Sequence, residues 1–317
     1  MKSNGFWREK KYRLHLALLG MLLLMTHAAL ANSSLRVSGT LGAVGSDTMA
    51  GLVLRWGEAL TARYPDINVQ FQAGGSASAP TALIAGTTRL GPMSRPMTEE
   101  ERQQFIDHYG YPPLELRVAR DALVIVVHRH TPLESLTLPQ VDAIFSSHLA
   151  CGEIDPIRRW EALPATASWP YGRIALHGRN LASGTHGLFQ QRALCDGPFR
   201  PDISEYPGAS AVVAAVGESP DAMGYAGYNH LSPMVKALRL TDEYGRTVAP
   251  SEAAIQSGAY PLSRDLYLYV NAPPGETLPA AEQALLTLIM SDEGQQIIRA
   301  AGFVPLPTND LETQQVW

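Results

Sequence analysis

Apolar and polar positions alternate over residues 34–44, which predicts a first strand. The period then changes. Met49, Leu52, Val53, Trp56 and Leu60 fall at i, i+3, i+4, i+7 and i+11, one face of a helix that Pro65-Asp66 stops. Residues 67–72 alternate again and predict a second strand. Gly74-Gly75-Ser76-Ala77-Ser78-Ala79-Pro80 follows, then a helical run through Leu83 and Ile84, with Pro80 suited to a first turn. Leu90-Gly91-Pro92-Met93-Ser94-Arg95-Pro96-Met97 comes after another expected strand. Thr98 and Glu101 fit a capping box that opens a helix toward His108.

Residues 116–118 and 122–127 are nearly all apolar, as strands buried on both faces are. A short helix is predicted over 138–146. Residues 151–171, rich in Pro and Trp, predict irregular chain. Ile174-Ala175-Leu176 reads as a strand and residues 188–194 as a helix. Residues 211–216 read as a helix, 223–228 as a strand running into a turn, 250–255 as a capped helix and 266–270 as a strong strand. Residues 278–290 and 291–301 are C-terminal helices, the second stopped at Gly302. Strands alternating with helices predict an α/β fold with a mostly parallel sheet and a ligand site at the strands' C-terminal ends.

The junctions carry the chemistry. Gly178-Arg179-Asn180-Leu181-Ala182-Ser183-Gly184-Thr185-His186-Gly187 joins a strand to a helix with hydroxyls, free N–H groups and a guanidinium. A helix start favours an anion, and the planar arginine fork suits an oxyanion. The turns before residues 49 and 78 repeat the theme. Simple capping by Ser46 or Thr48 explains the first of these junctions taken singly, and a capped helix start with a surface arginine explains residues 178–187. Three together, rich in Ser and Thr and without a P-loop lysine, point to a small oxyanion more than to a nucleotide.

Charge and targeting add constraints. Lys2, Arg8, Lys10, Lys11 and Arg13 precede an apolar stretch over residues 14–25, too short to span a bilayer comfortably, and Ala29-Leu30-Ala31 fits a signal-peptidase site. The expected mature chain begins at Asn32. The whole chain has 25 Lys and Arg and 30 Asp and Glu. Residues 1–31 hold five of the former and one of the latter, so the mature balance is 20 against 29. Such a protein meets an anion through local donors, not through its overall field. No basic run suggests nucleic acid. Export predicts a Cys151–Cys195 disulfide, with two free thiols as the alternative; a metal site is not expected from two cysteines without a histidine pair. No H-E-x-x-H, Walker A or G-x-S-x-G motif is present, and Ser183 with His177 or His186 is the sole nucleophile pairing to weigh.

Gly45-Ser46-Asp47-Thr48, Phe71-Gln72-Ala73-Gly74-Gly75-Ser76, Gly91-Pro92-Met93-Ser94-Arg95, Gly178-Arg179 with Ala182-Ser183-Gly184-Thr185, and Met223-Gly224-Tyr225 occur in an order and spacing that resembles the periplasmic phosphate-binding proteins of ABC phosphate uptake systems. The resemblance covers essentially the whole mature chain. It implies a type II periplasmic-binding-protein fold, two α/β lobes joined by crossing strands with phosphate in the cleft. Lobe I would comprise residues 32–125 and 263–317, and lobe II residues 126–262. Phosphate would be held by Thr48, the Met49 N–H, Ser76 and Ser94 from the first lobe, and by Arg179, Ser183, the Gly184 N–H and Thr185 from the second. The resemblance also implies an inner-membrane ABC permease as partner, a periplasmic monomer, no cofactor and no catalytic residue. The neighbouring alternatives are a binder of another tetrahedral oxyanion, or a phosphate sensor or surface protein without a transport role.

Two positions depart from the family pattern. Ser94 stands where the family's best-studied pattern carries an aspartate that accepts the ligand's proton, although other branches resemble this chain in having a Ser-Arg pair there, and Leu181 stands where that pattern has an aspartate paired with the arginine. Asp47 is the candidate replacement partner for Arg179, and Arg95 could add charge to the cleft.

Overall fold

The computed structural model describes residues 37–314. The signal-peptide expectation and residues 34–36 of the first expected strand lie outside them. A mixed sheet forms the backbone of the molecule, in the order β2–β1–β3–β12–β4–β8–β6–β7, with β9 also paired to β4. The strands are β1 Gly39–Val44, β2 Ile67–Gln72, β3 Leu90–Met93, β4 Leu114–His128, β5 Ser135–Thr137, β6 Ala175–Arg179, β7 Ser204–Tyr206, β8 Ala222–Gly227, β9 Val235–Ala237, β10 Arg239–Thr241, β11 Thr247–Val248 and β12 Ser263–Val270. Strands β11, β10 and β5 make a separate small sheet.

The helices are α1 Ala50–Arg63, α2 Ser78–Ile84, α3 Glu99–Tyr109, α4 Leu138–Phe145, α5 Gly184–Ala193, α6 Ala209–Glu218, α7 Glu252–Ser257, α8 Ala280–Met290, α9 Asp292–Ala300 and α10 Thr308–Glu312. The expected apolar face of α1 is buried: Leu52, Val53, Trp56 and Leu60 all pack inward. The Thr98–Glu101 capping box closes in both directions, which satisfies two backbone donors at the start of α3.

The sheet is less parallel than the alternation of elements suggests. Both flanks are parallel, β1 with β2 and β3, and β6 with β7 and β8. The centre is antiparallel, because β12 pairs antiparallel with both β3 and β4, and β4 with β8. The two apolar runs at 116–118 and 122–127 belong to one strand of 15 residues, β4. Strand β3 begins at Leu90 itself, inside the segment read as following a strand.

The apolar side chains divide into separate cores along β4. Leu116, Val118 and Ala119 join a core with Leu41, Trp56, Leu268, Leu286 and Phe303. Ala122 through Val127 join a second core with Phe145, Trp160, Phe189, Val213 and Tyr225. Strand β12 continues the division: Leu262, just before it, belongs to the second core, and Leu266 to the first. The central strand pair β4–β12 thus links two cores that are each built from both sheet and helices.

Cys151 and Cys195 form a disulfide, with their Cα atoms 5.5 Å apart and 44 residues between them in sequence. It ties the irregular segment after α4 to the end of α5. The Cys151→Ser/Cys195→Ser double variant is expected to lose about 4 kcal/mol of stability by the chain-entropy relation for a loop of this length. Denaturant unfolding monitored by fluorescence reads the loss; a change below about 1 kcal/mol would show that the loop is fixed without the bridge.

Candidate functional site

The Ser/Thr-rich junctions meet where the two cores face each other. Asp47–Met49 forms a 3₁₀ turn leading into α1, and the backbone N–H of Ser46 anchors it to Pro92 O at 2.7 Å. Thr48 is buried, and its Oγ1 lies 3.2 Å from Oγ1 of Thr185 at the start of α5. Ser76 and Ser94 are both fully buried; their hydroxyls are 3.1 Å apart, and the Ser94 N–H donates to Ser76 Oγ at 3.0 Å. Ser183 caps α5 by accepting from the Thr185 N–H. Gly184 opens that helix, so its N–H is among the donors a helix leaves without an internal acceptor.

Close approach across the cleft explains two glycines. A Cβ on Gly184 would stand 2.3 Å from Ser76 Oγ and 2.8 Å from Ser94 Oγ. Gly75 has φ +92°, and a Cβ there would stand 2.3 Å from the Ala182 carbonyl oxygen. The Ala77 N–H donates to that same carbonyl at 3.3 Å. The two sides are therefore in backbone contact, with the serine and threonine hydroxyls sealed between them.

Arg179, the last residue of β6, has no solvent-exposed side-chain surface. Its Nη2 donates to Asp47 Oδ2 at 2.6 Å and to Pro207 O at 2.7 Å, and its Nε donates to Tyr206 O at 3.3 Å. Its backbone N–H donates to the Tyr225 hydroxyl. Burial raises the Tyr225 pKa well above the ordinary tyrosine value, so that hydroxyl stays neutral. Asp47 supplies the counter-charge that Leu181, largely exposed, does not. Arg95 does not add charge to the cleft. It makes a two-armed pair with Glu101, 2.7 and 2.6 Å, beside the capping box of α3. The Met49 N–H donates to Ser46 O at 3.1 Å and so closes the turn.

Sequence reading missed a second ion pair. Asp121 of β4 and Arg264 of β12 are cross-strand partners. Their side chains are 1% and 2% exposed and meet at 2.6 Å. Arg264 also donates through Nη1 to Thr185 Oγ1 at 3.0 Å and to Ser94 O at 3.2 Å. One guanidinium thus touches both sides of the cleft. The signal was present as charged residues inside two of the most apolar strands. The site holds two arginines against two aspartates, so its charge set is neutral and what it offers an anion is hydroxyl donors and helix N-termini.

The histidines near Ser183 in sequence are engaged elsewhere. His177 Nδ1 meets the Tyr206 hydroxyl at 3.1 Å, and His186 packs on Phe199 with ring centroids 4.3 Å apart. Among the described residues no group of three or more His, Cys, Asp and Glu is placed to hold a metal.

Removing one member of the Asp121–Arg264 pair leaves a buried charge alone. Asp121→Asn is expected to cost about 3 kcal/mol of stability, and Asp121→Leu/Arg264→Met to recover most of it; chemical denaturation of both checks this. Four buried or partly buried histidines predict a pH effect. Burial lowers the pKa of His128, His177, His186 and His230 below the ordinary value of 6.5. Below about pH 6.5 the unfolded chain therefore takes up protons that the folded chain refuses. Stability should be full above that pH and fall as pH drops toward the folded values, with His186→Gln flattening the slope of melting temperature against pH. Asp202, held at about 2 chiefly by its bond with Arg200, changes only in a lower window.

Comparison with known proteins bears on the same features. A PBP superfamily domain model matches residues 31–293. The phosphate-binding protein PstS of Pseudomonas aeruginosa is 44% identical over 277 residues, spanning 87% of this chain and 86% of that one. The phosphate-binding protein PstS of Staphylococcus saprophyticus is 26% identical over 275 residues, spanning 86% and 82%. An ABC-type phosphate transport receptor from Vibrio cholerae shares the fold, with a TM-score of 0.66 at 20% identity, covering 84% of this chain and 100% of that one. The sequence motifs, the mixed α/β architecture and this likeness agree: the chain belongs to the PBP superfamily and, within it, to the PstS-type phosphate-binding proteins.

Proposed function

We propose that this protein is an exported solute-binding protein that captures inorganic phosphate in the cleft and delivers it to an ABC-type permease. The observation that carries the reading is the convergence of Thr48, Ser76, Ser94 and Thr185 hydroxyls with the buried Arg179 and Arg264 guanidiniums at the contact between the two cores. Hydroxyls and guanidiniums are donors matched to a tetrahedral oxyanion. The relatives' name, phosphate-binding protein, selects phosphate among such anions.

In this reading the two cores are two lobes, residues 32–125 with 263–317 and residues 126–262, and the β4–β12 pair is the hinge between them. Phosphate sits within reach of Thr48, Met49, Ser76, Ser94, Arg179, Ser183, Gly184 and Thr185. Closing the lobes over the anion excludes water and strengthens each charged hydrogen bond. Each such bond contributes about 1.5–3 kcal/mol, so several suffice for the roughly −8 kcal/mol of micromolar binding after the costs of closure. The closed form presents a distinct surface, which is how a permease would distinguish loaded from empty protein. The protein acts in the periplasm as a monomer and turns over no substrate.

Isothermal calorimetry on mature protein, stripped of ligand by unfolding and refolding, should give one-to-one binding of phosphate. Arg179→Ala, which leaves Asp47 uncompensated, should weaken it about 100-fold or more while circular dichroism confirms the fold. Unchanged affinity in that variant would put the site elsewhere, and tight binding of sulfate or molybdate with no phosphate binding would change the ligand.

A further inference from the structure

Four arginines gather away from the cleft. Arg158, Arg159, Arg173 and Arg200 line an open cavity of about 590 Å³, with Ser147 and Asp202 beside them. That volume is within the range of small-molecule sites. Arg173 comes just before β6 and Asp202 just before β7, so the cavity lies at the opposite end of β6 from Arg179. The whole chain has 25 basic against 30 acidic residues, and this positive cluster runs against that balance.

Two of the four have a structural use. Arg158 donates through Nη1 to Ala143 O at 2.9 Å and through Nη2 to Ser146 O at 3.1 Å, and Arg200 Nη1 donates to Ile144 O at 3.1 Å. They meet the carbonyls at the C-terminus of α4, where a cation is favoured. Arg200 also holds Asp202, at 2.8 Å from Nε and again through Nη2.

Arg159 and Arg173 have no such use. They face each other in an antiparallel bridge. The flanking bonds run from the Trp160 N–H to Gly172 O at 2.9 Å and from the Ile174 N–H to Arg158 O at 3.0 Å. That pattern makes the two arginines a non-hydrogen-bonded pair, the kind whose side chains come closest. Like charges placed directly opposite each other are destabilising. The carboxylates nearby do not balance them. Arg159 pairs with Glu161, and Arg173 shares Asp202 with Arg200. Four guanidiniums thus stand against two carboxylates. Burial, and next the charge of Arg200, push the Arg158 pKa below the ordinary arginine value. Among the described residues Nη1 of Arg159 makes no hydrogen bond, nor do Nε and Nη1 of Arg173. Their side chains are 56% and 68% exposed, so these donors are open to a ligand.

We propose that this cavity is a second anion site, independent of what the cleft binds, for a small polyanion with oxyanion groups on two centres, as in a condensed phosphate or an oligocarboxylate. One group meets the fork of Arg173 and the other meets Arg159, each through paired N–H donors or a single charged bond. Two negative charges offset the surplus of two guanidiniums and relieve the opposed pair. A single tetrahedral anion would engage one fork and leave the other arginine uncompensated. The bridges Arg159–Arg173 and Ser146–Phe199 fix the frame before a ligand arrives, which lowers the cost of binding.

Calorimetry at low salt on the mature protein tests the site, with pyrophosphate and citrate as probes and orthophosphate present throughout to occupy the cleft. The proposal predicts one-to-one binding of at least one probe with a Kd below about 1 mM. Arg159→Ser/Arg173→Ser should weaken it about tenfold or more, with circular dichroism confirming the fold. The control is Arg63→Ser/Arg299→Ser, two exposed arginines paired to Glu293 and Glu252 elsewhere, and it should bind as wild type does. Preference for pyrophosphate or for citrate identifies which of the two chemistries the site takes. Binding of neither probe, binding that the Arg159/Arg173 variant leaves intact, or an equal loss in the control overturns the proposal. Hexaglutamate binding in place of both probes also overturns it, and would make the face a docking surface for an acidic protein segment.

Discussion

The constraint on which the rest depends is that no charge buried in this cleft can be left alone. Arg179 is fully buried and Arg264 nearly so, and each is held by an aspartate from another part of the chain. Asp47 comes from the first junction and Arg179 from the end of β6, 132 residues later. Their contact requires the two cores to approach each other. The same approach brings Thr48 to Thr185, Ala77 to Ala182 and Gly184 against Ser76. Small residues at positions 75 and 184 are the steric consequence, and the capped start of α5 is the local means of aiming its hydroxyls inward.

The central strand pair supplies the second half of the design. β4 runs through both cores, and β12 lies antiparallel beside it, with Asp121 opposite Arg264 near the point where one core gives way to the other. Because Arg264 donates to Ser94 O and Thr185 Oγ1 together, it ties the two sides to each other. An ion pair that a hydrophobic pair of equal volume could replace without loss of stability is retained, on this view, for what it does to the cleft.

Much of this was legible in the residues, for physical reasons. The helix of residues 50–63 was visible because burial of one face enforces its period, and the start of α3 because a capping box is a local motif. The hydroxyl-bearing junctions were visible because a strand–turn–helix start is built from adjacent residues. The Cys151–Cys195 bridge followed from the cysteine count and the expected compartment. What stayed hidden is non-local. Asp121 and Arg264 are 143 residues apart and meet only through strand register. The antiparallel centre of the sheet depends on the route of the chain, which periodicity does not encode. Arg95 looked like a cleft residue because it adjoins Ser94, yet Glu101, set by the turn of α3, draws it away. The short strands β5, β7 and β9–β11 carry two or three residues each, too few for any period to show.

The most direct test is a crystal structure of the mature protein refolded and grown with phosphate as its sole oxyanion. The account predicts a single tetrahedral anion enclosed between the two cores, hydrogen-bonded to Thr48, Ser76, Ser94 and Thr185, with Arg179 donating to it. An anion bound outside this cleft, or one inside it with Arg179 paired only to protein, would contradict the account.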